Sequence, residues 1–87
     1  MTINVTVVKQ NFLMAASITA LLNGNEVAWL GEGSVTPILA PDQDNTMVFK
    51  SGFRKTEVAL PAGSNYNISL KWNRGSGKLE VLCVPAP

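Results

Sequence analysis

The sequence offers few side chains that could carry out covalent chemistry. Its 87 residues contain one cysteine, Cys83, and no histidine. A thiol becomes a good nucleophile when a base or a positive neighbourhood stabilises its thiolate, and histidine is the usual base. Cys83 also keeps the two-residue spacing of Leu79 and Val81, which predicts a buried and unreactive thiol. We therefore expect a protein that is not an enzyme.

The carboxylates do not form a recognisable cation site. Asp42 and Asp44, with Asn45, follow a proline in one polar segment, where they could share a hard cation such as Ca²⁺. The calcium-loop spacing is incomplete, however, and the same side chains stabilise loops through Asx turns. A single cysteine and the lack of histidine exclude the common zinc ligand sets. The sequence predicts no metal and no other cofactor.

Trp29 is the side chain best suited to binding a ligand. A flat aromatic ring can stack on a sugar or a peptide, and a nearby amide such as Asn25 can add hydrogen bonds. Tyr66 and Trp72 are also aromatic, but they alternate in phase with Ile68, which predicts core positions. A carbohydrate- or peptide-binding module with Trp29 and Asn25 at its site is therefore one functional hypothesis.

Charge is scarce and is not clustered along the chain. Seven Lys and Arg residues against six Asp and Glu give a net charge of +1, and charged residues make up 15% of the sequence. An average soluble domain has about 25%. Recognition of nucleic-acid phosphates needs clustered Lys and Arg, and no run of like charge occurs here. The sequence therefore predicts no nucleic-acid partner.

The elements that position these side chains are predicted to be strands. Apolar and polar residues alternate over residues 3–7 and most clearly over residues 65–73, as in strands with one face on a core. Residues 74–77 are Arg-Gly-Ser-Gly, a turn composition that predicts a hairpin between residues 65–73 and 78–84.

A second hairpin is predicted at Asn23-Gly24. This pair favours a type I′ turn, which would join strands at residues 17–22 and 25–30. The alternative is a helix over residues 12–22, because Leu, Met and Ala are good helix formers. β-branched Ile18 and Thr19 favour the hairpin.

The remaining segments complete an all-β prediction. Strands are expected at residues 35–40, 46–49 and 56–60, and Pro37 marks the first of these as an edge or bulged strand. Residues 41–45 are predicted as an exposed turn and residues 50–55 as a connection. Seven or eight short strands in residues 1–87 predict a single domain, a small antiparallel β-sandwich or barrel.

The apolar segment at residues 12–22 has a second possible interpretation as an export signal. It follows a lysine but is too short to span a bilayer, which needs about 20 apolar residues. No small-residue cleavage site follows it. We expect an internal core element, no membrane span and, by default, a cytoplasmic protein.

Several turn motifs resemble those of small bacterial β-sandwich modules of the PEGA type. These are the segments at residues 18–24 and 33–37, with Val27 and Leu30 between them, and Leu-Pro-Ala-Gly at residues 60–63. The resemblance extends over roughly residues 18 to 72, although the Pro-Glu-Gly-Ala signature itself is absent. It implies an antiparallel sandwich and a non-catalytic, accessory or surface-associated role, and it implies no site residues.

Apolar residues occupy both faces of several predicted strands. Examples are residues 47–49 and 81–84, and this pattern combined with scarce charge favours strand surfaces covered by another chain. The sequence therefore predicts a structural or protein-interaction module that forms a homo-oligomer, with a protein or glycan as a further partner. The predicted interface residues are Trp29, Leu30, Leu82 and Val84.

Overall fold

The computed structural model describes residues 1–10 and 17–87, and the described residues form an all-β fold with no helix. None of them belongs to a helix long and apolar enough to cross a bilayer. The predicted fold class is confirmed. The eight strands are β1 (Thr2–Val7), β2 (Ile18–Leu22), β3 (Asn25–Leu30), β4 (Val35–Leu39), β5 (Asn45–Ser51), β6 (Arg54–Leu60), β7 (Asn65–Trp72) and β8 (Leu79–Ala86).

The strands form two four-stranded sheets that pack face to face. The first sheet has the order β4-β1-β7-β8 and the second the order β3-β2-β5-β6. Neighbours are antiparallel except β1 and β7, which run parallel. This exception corrects the expectation of a wholly antiparallel sheet. No hairpin turn joins β1 to β7, so no turn geometry imposes opposite directions on them.

The core lies between the two sheets and follows the alternation seen in the sequence. In β7, Tyr66, Ile68 and Leu70 point inward and are buried, and Trp72 packs against the core at its edge. The Tyr66 hydroxyl donates a 2.7 Å hydrogen bond to the Pro61 carbonyl, so this buried phenol keeps a polar partner. The predicted core positions of these aromatic residues are confirmed.

The β2–β3 hairpin is present, and its turn explains why. Asn23 and Gly24 both have positive φ angles, of 50° and 87°, which a type I′ turn requires. Residues 18–22 are therefore strand, and the alternative helix does not extend through them. The rest of that predicted helix lies largely at residues 11–16, outside the described residues.

The β5–β6 connection is shorter than predicted. Instead of a segment spanning residues 50–55, only Gly52 and Phe53 form the turn. Gly52 has a φ of 61° at the first turn position, the pattern of a type II′ turn, and this lets both strands extend to the turn. As a result, Lys50 and Lys55 become directly paired residues of β5 and β6.

The β4–β5 connection is also more ordered than an exposed turn. Asp42 accepts a hydrogen bond from the Gly63 amide at 3.2 Å, and Asp44 accepts one from Ala62 at 2.9 Å. Asn45 is 3% exposed and begins β5, which corrects its predicted exposure. The two carboxylates therefore bind the neighbouring β6–β7 turn.

Candidate functional site

The two residues proposed as a ligand platform do not share a face. Trp29 is paired with Thr19 on the outer face of the second sheet and is 76% exposed. Asn25 is paired with Leu22, whose side chain points into the core. A β-bulge opposite Ala20 and Leu21 inserts one extra residue in β3, and such an insertion reverses the alternation beyond it.

The neighbour that the bulge places on the face of Trp29 is Glu26. A shallow depression of about 240 Å³ is lined by Glu26, Val27, Ala28 and Trp29. Stacking on Trp29 therefore remains open to a ligand, but the adjacent polar group is a carboxylate instead of the expected amide. The expectation that Asn25 and Trp29 form one site is corrected for this reason.

The four predicted interface residues are divided among three places. Leu30 is 1% exposed and belongs to the core, so its assignment to an interface is corrected. Trp29 lies on the outer face of the second sheet, whereas Leu82 and Val84 lie on that of the first. The sequence does not show that β3 and β8 belong to different sheets, so it could not reveal this separation.

The outer face of the first sheet has an ordered chemical pattern. Its two edge columns are apolar, whereas its two central columns carry only uncharged polar side chains. Among the apolar ones, Leu39 is 82% exposed, Val35 67% and Leu82 65%. In the order of the strands, the face consists of Val35, Pro37 and Leu39; Thr2, Asn4 and Thr6; Asn65, Asn67 and Ser69; and Leu82, Val84 and Ala86.

The polar centre of this outer face is linked across its two strands. The Asn65 side chain accepts a 2.8 Å hydrogen bond from the Thr2 amide, and the Asn4 amide group donates to the Asn67 side chain at 3.5 Å. The first charged pair, Lys71 with Glu80, lies one row beyond Ser69 and Leu82. The outer face is therefore charge-free over three rows of four residues.

A second surface collects the Lys and Arg side chains at one end of the sandwich. This basic end contains the β5–β6 and β7–β8 turns, which are joined by a 3.2 Å hydrogen bond from Arg54 to the Ser76 carbonyl. The strand directions place all seven basic residues in this half, with Glu32 and Glu80 as accompanying carboxylates. The basic residues are Lys9, Lys50, Arg54, Lys55, Lys71, Arg74 and Lys78.

Sequence reasoning missed the basic end because its two main segments, residues 50–55 and 71–78, are separated in the chain and Lys9 is farther away still. The longest run of like charge is only Arg54-Lys55, and the packing of the two sheets is what brings the two segments together. Asp42 and Asp44 lie at the opposite end, beside the β6–β7 turn. The protein is therefore electrically polarised along its strands although its net charge is only +1.

Lys50 and Lys55 bring two like charges together in this basic end. They are exposed and directly opposite each other in β5 and β6, and like charges in that arrangement destabilise a sheet. We expect Lys55→Glu to raise the free energy of unfolding by about 0.5–1 kcal/mol, because it turns the repulsion into a cross-strand attraction. Urea unfolding at low salt measures this change. Lys55→Gln should give an intermediate value, and a loss of stability in Lys55→Glu would contradict the argument.

Phe53 forms the apex of the β5–β6 turn at the same end. Its ring is 90% exposed, and the Arg54 guanidinium lies 5.0 Å from the ring centroid. At this distance a cation–π contact holds the two side chains together, with a modest energy at an exposed site. An aromatic ring and a cation are thus presented side by side beyond the end of the second sheet.

The described residues do not bring metal-binding side chains together. No group of three or more His, Cys, Asp or Glu side chains among residues 1–10 and 17–87 is placed to hold a metal ion. Cys83 is half-buried beside the core, and burial raises the pKa of its thiol, which disfavours the thiolate. In this part of the chain every buried side-chain nitrogen or oxygen has a hydrogen-bond partner.

Comparison with known proteins adds no further assignment. No protein-family model matches the sequence, and neither a curated protein nor a solved structure matches the chain.

Proposed function

We propose that this protein is a non-catalytic interaction module that self-associates through the outer face of its first sheet. The observation that carries the proposal is the charge-free pattern of that face, with exposed Leu39, Val35 and Leu82 on its edge columns. Association with a partner removes these exposed aliphatic side chains from water, and this burial lowers the free energy of the complex. The resemblance to PEGA-type modules stays a prediction and points to the same non-catalytic class.

The pattern of the outer face is complementary to itself. Its columns are apolar, polar, polar and apolar, so two copies stacked about a two-fold axis in the plane of the sheet bring like columns together. Apolar edges then contact apolar edges, and the Thr, Asn and Ser side chains meet others that can donate and accept hydrogen bonds. A two-fold interface requires this kind of self-complementarity.

Charge selects one of the two possible stacking directions. When the strands of the two copies are antiparallel, the basic end of each copy lies near Asp42 and Asp44 of the other. The parallel arrangement places the two basic ends side by side, where they repel. We therefore propose an antiparallel face-to-face dimer.

Edge-to-edge pairing of the first sheet is a weaker alternative. Its edge strands carry Pro37 in β4 and Pro85 in β8. Proline lacks the N–H group needed for a continuous ladder and protects edges against strand addition. Stacking uses side chains only, so these prolines do not obstruct it.

The size of the face indicates a weak dimer. Four strands about 4.8 Å apart and six residues about 3.3 Å apart give a projected area of about 400 Å² per copy. Stable complexes bury about 800 Å² per partner. Dimerisation is therefore expected in the micromolar range, and it must be measured at high protein concentration.

Sedimentation equilibrium tests the proposal directly. The unmodified protein should show a mass that rises toward twice that of the chain with increasing concentration. Leu82→Lys should weaken the dimer at least about tenfold, because an ammonium group is costly to bury. Trp29→Lys is the matched control, since Trp29 is similarly exposed on the other sheet and should leave the dimer intact. A monomer at all concentrations, or a loss caused only by Trp29→Lys, would refute the proposed interface.

The alternative function is a carbohydrate or peptide platform at Trp29. It is favoured by the exposed indole beside the depression at Glu26 and Val27. Titration of the protein with oligosaccharides, followed by tryptophan fluorescence, tests this function. The variant Trp29→Phe distinguishes the fluorescence of Trp29 from that of Trp72. Saturable binding that is lost in Trp29→Ala, in a protein that remains monomeric, would replace the dimer proposal.

A further inference from the structure

We propose that the β5–β6 hairpin tip docks on an anionic lipid surface, with Phe53 entering the membrane interface and Lys50, Arg54 and Lys55 contacting the headgroups. The hairpin belongs to the second sheet, whereas the stacked face of the proposed dimer belongs to the first. The proposal rests on the basic end and on the shape of its apex.

The shape of the tip favours a planar partner. Phe53 lies at the apex of a two-residue turn and is 90% exposed, so its ring projects beyond the strands instead of lining a groove. A bilayer interface can receive a projecting apolar ring and contact the cations around it at the same time. A duplex nucleic acid would satisfy the cations but leave the ring without an apolar environment.

The charges around the tip match such a surface. A membrane leaflet rich in anionic lipids attracts nearby Lys and Arg side chains, and each one close to the surface raises the binding affinity about fivefold. Lys50 and Lys55 pair across β5 and β6 on the outer face, whereas Arg54, next to the tip, points to the other side of β6 and donates to the Ser76 carbonyl. The mutual repulsion of the two lysines, which is unfavourable in the free protein, would be relieved by anionic headgroups.

Trp29 extends the same surface along the second sheet. Trp29 pairs with Thr19, Thr19 with Lys50, and Lys50 with Lys55, so the four side chains form one row across the outer face. This row ends beside the β5–β6 turn. A plane tilted over that corner of the sandwich contacts the Phe53 ring, the two lysines and the exposed indole, and indoles favour membrane interfaces. The carboxylates of this face, Glu26 and Glu57, lie in the next row, farther from the turn.

Vesicle binding tests the proposal with the intact protein. We expect sedimentation with phosphatidylcholine vesicles that contain phosphatidylserine, little with phosphatidylcholine alone, and release at high salt. Phe53→Ser should weaken binding about tenfold, because the variant lacks the aromatic ring whose transfer from water to the membrane interface favours binding. Phe53→Trp should retain binding, and brominated lipids should quench its fluorescence more than that of the unmodified protein. Equal binding by Phe53→Ser, or no additional quenching in Phe53→Trp, would overturn the insertion of the tip.

Charge variants separate a binding defect from a folding defect. Lys55→Glu should raise Tm and yet weaken vesicle binding about fivefold or more, whereas Lys50→Arg with Lys55→Arg should preserve it. A labelled single-stranded oligonucleotide provides the competing test. Tighter binding to the oligonucleotide than to phosphatidylserine vesicles, with the same dependence on Phe53, would assign the tip to nucleic acid and overturn the lipid proposal.

Discussion

Replacing Phe49 by alanine is expected to destabilise the protein by about 3–5 kcal/mol. Phe49 is 0% exposed and is one of the largest fully buried side chains in the core. It belongs to β5, which lies between β2 and β6 in the second sheet, so both flanking strands restrict collapse around the space that it leaves. Loss of apolar burial and creation of a cavity therefore act together. A domain has a total stability of only about 5–15 kcal/mol.

Equilibrium urea unfolding measures this effect, with Val48→Ala as the matched control. Val48 is the preceding residue of the same strand, but it points to the outer face and is only half-buried. Its replacement should cost about 1 kcal/mol or less. Comparable losses in the two variants would contradict the assignment of Phe49 to the inner face and of Val48 to the outer one.

Replacing Asn45 by alanine is expected to cost about 2–4 kcal/mol. The Asn45 side chain donates hydrogen bonds to the carbonyls of Pro41 and Gln43 at 2.9 and 3.0 Å. Its oxygen accepts a 2.9 Å hydrogen bond from Asn23, and Asn23 in turn accepts one from the Thr46 amide. Removing one buried partner costs about 1–3 kcal/mol for each group left unsatisfied, and several groups lose a partner here.

The matched control for this second effect is Asn25→Ala. Asn25 is an exposed asparagine at the start of β3, and its replacement should change the free energy of unfolding by about 0.5 kcal/mol or less. Hydrogen exchange adds a local readout, because loss of Asn45 should deprotect the amide of Thr46 and those of the β2–β3 turn before global unfolding. An unchanged free energy of unfolding in Asn45→Ala would contradict the role assigned to this network.

Local sequence was sufficient to predict the strands and most of their turns. The alternation of Tyr66, Ile68 and Leu70 places one face of β7 in the core, and Asn23-Gly24 fixes the β2–β3 hairpin. Pro37 indicated an edge or bulged strand, and β4 lies at the edge of its sheet. These features depend on backbone preferences and on a period of two residues, so a short window of sequence contains the relevant information.

The details that depend on one inserted or missing residue were harder to predict. The bulge in β3 separates Asn25 from the face of Trp29, and the short Gly52-Phe53 turn brings Lys50 opposite Lys55. A shift of one residue moves a strand's side chains to the opposite face. Composition alone does not show where such a one-residue shift occurs. The candidate ligand site was therefore predicted only at Trp29.

The functional surfaces were decided by tertiary structure. Sequence alone determined an all-β chain with scarce charge, excess apolar strand residues and no histidine for catalysis. Only the order β4-β1-β7-β8 made Leu39, Asn4, Asn67 and Val84 neighbours on one charge-free face, and only the strand directions gathered all seven basic residues at one end. The physical reason is that each residue has its own side-chain chemistry, whereas a surface is formed by several strands that are distant in the chain. Burial of the opposite faces of these strands in the core brings them together.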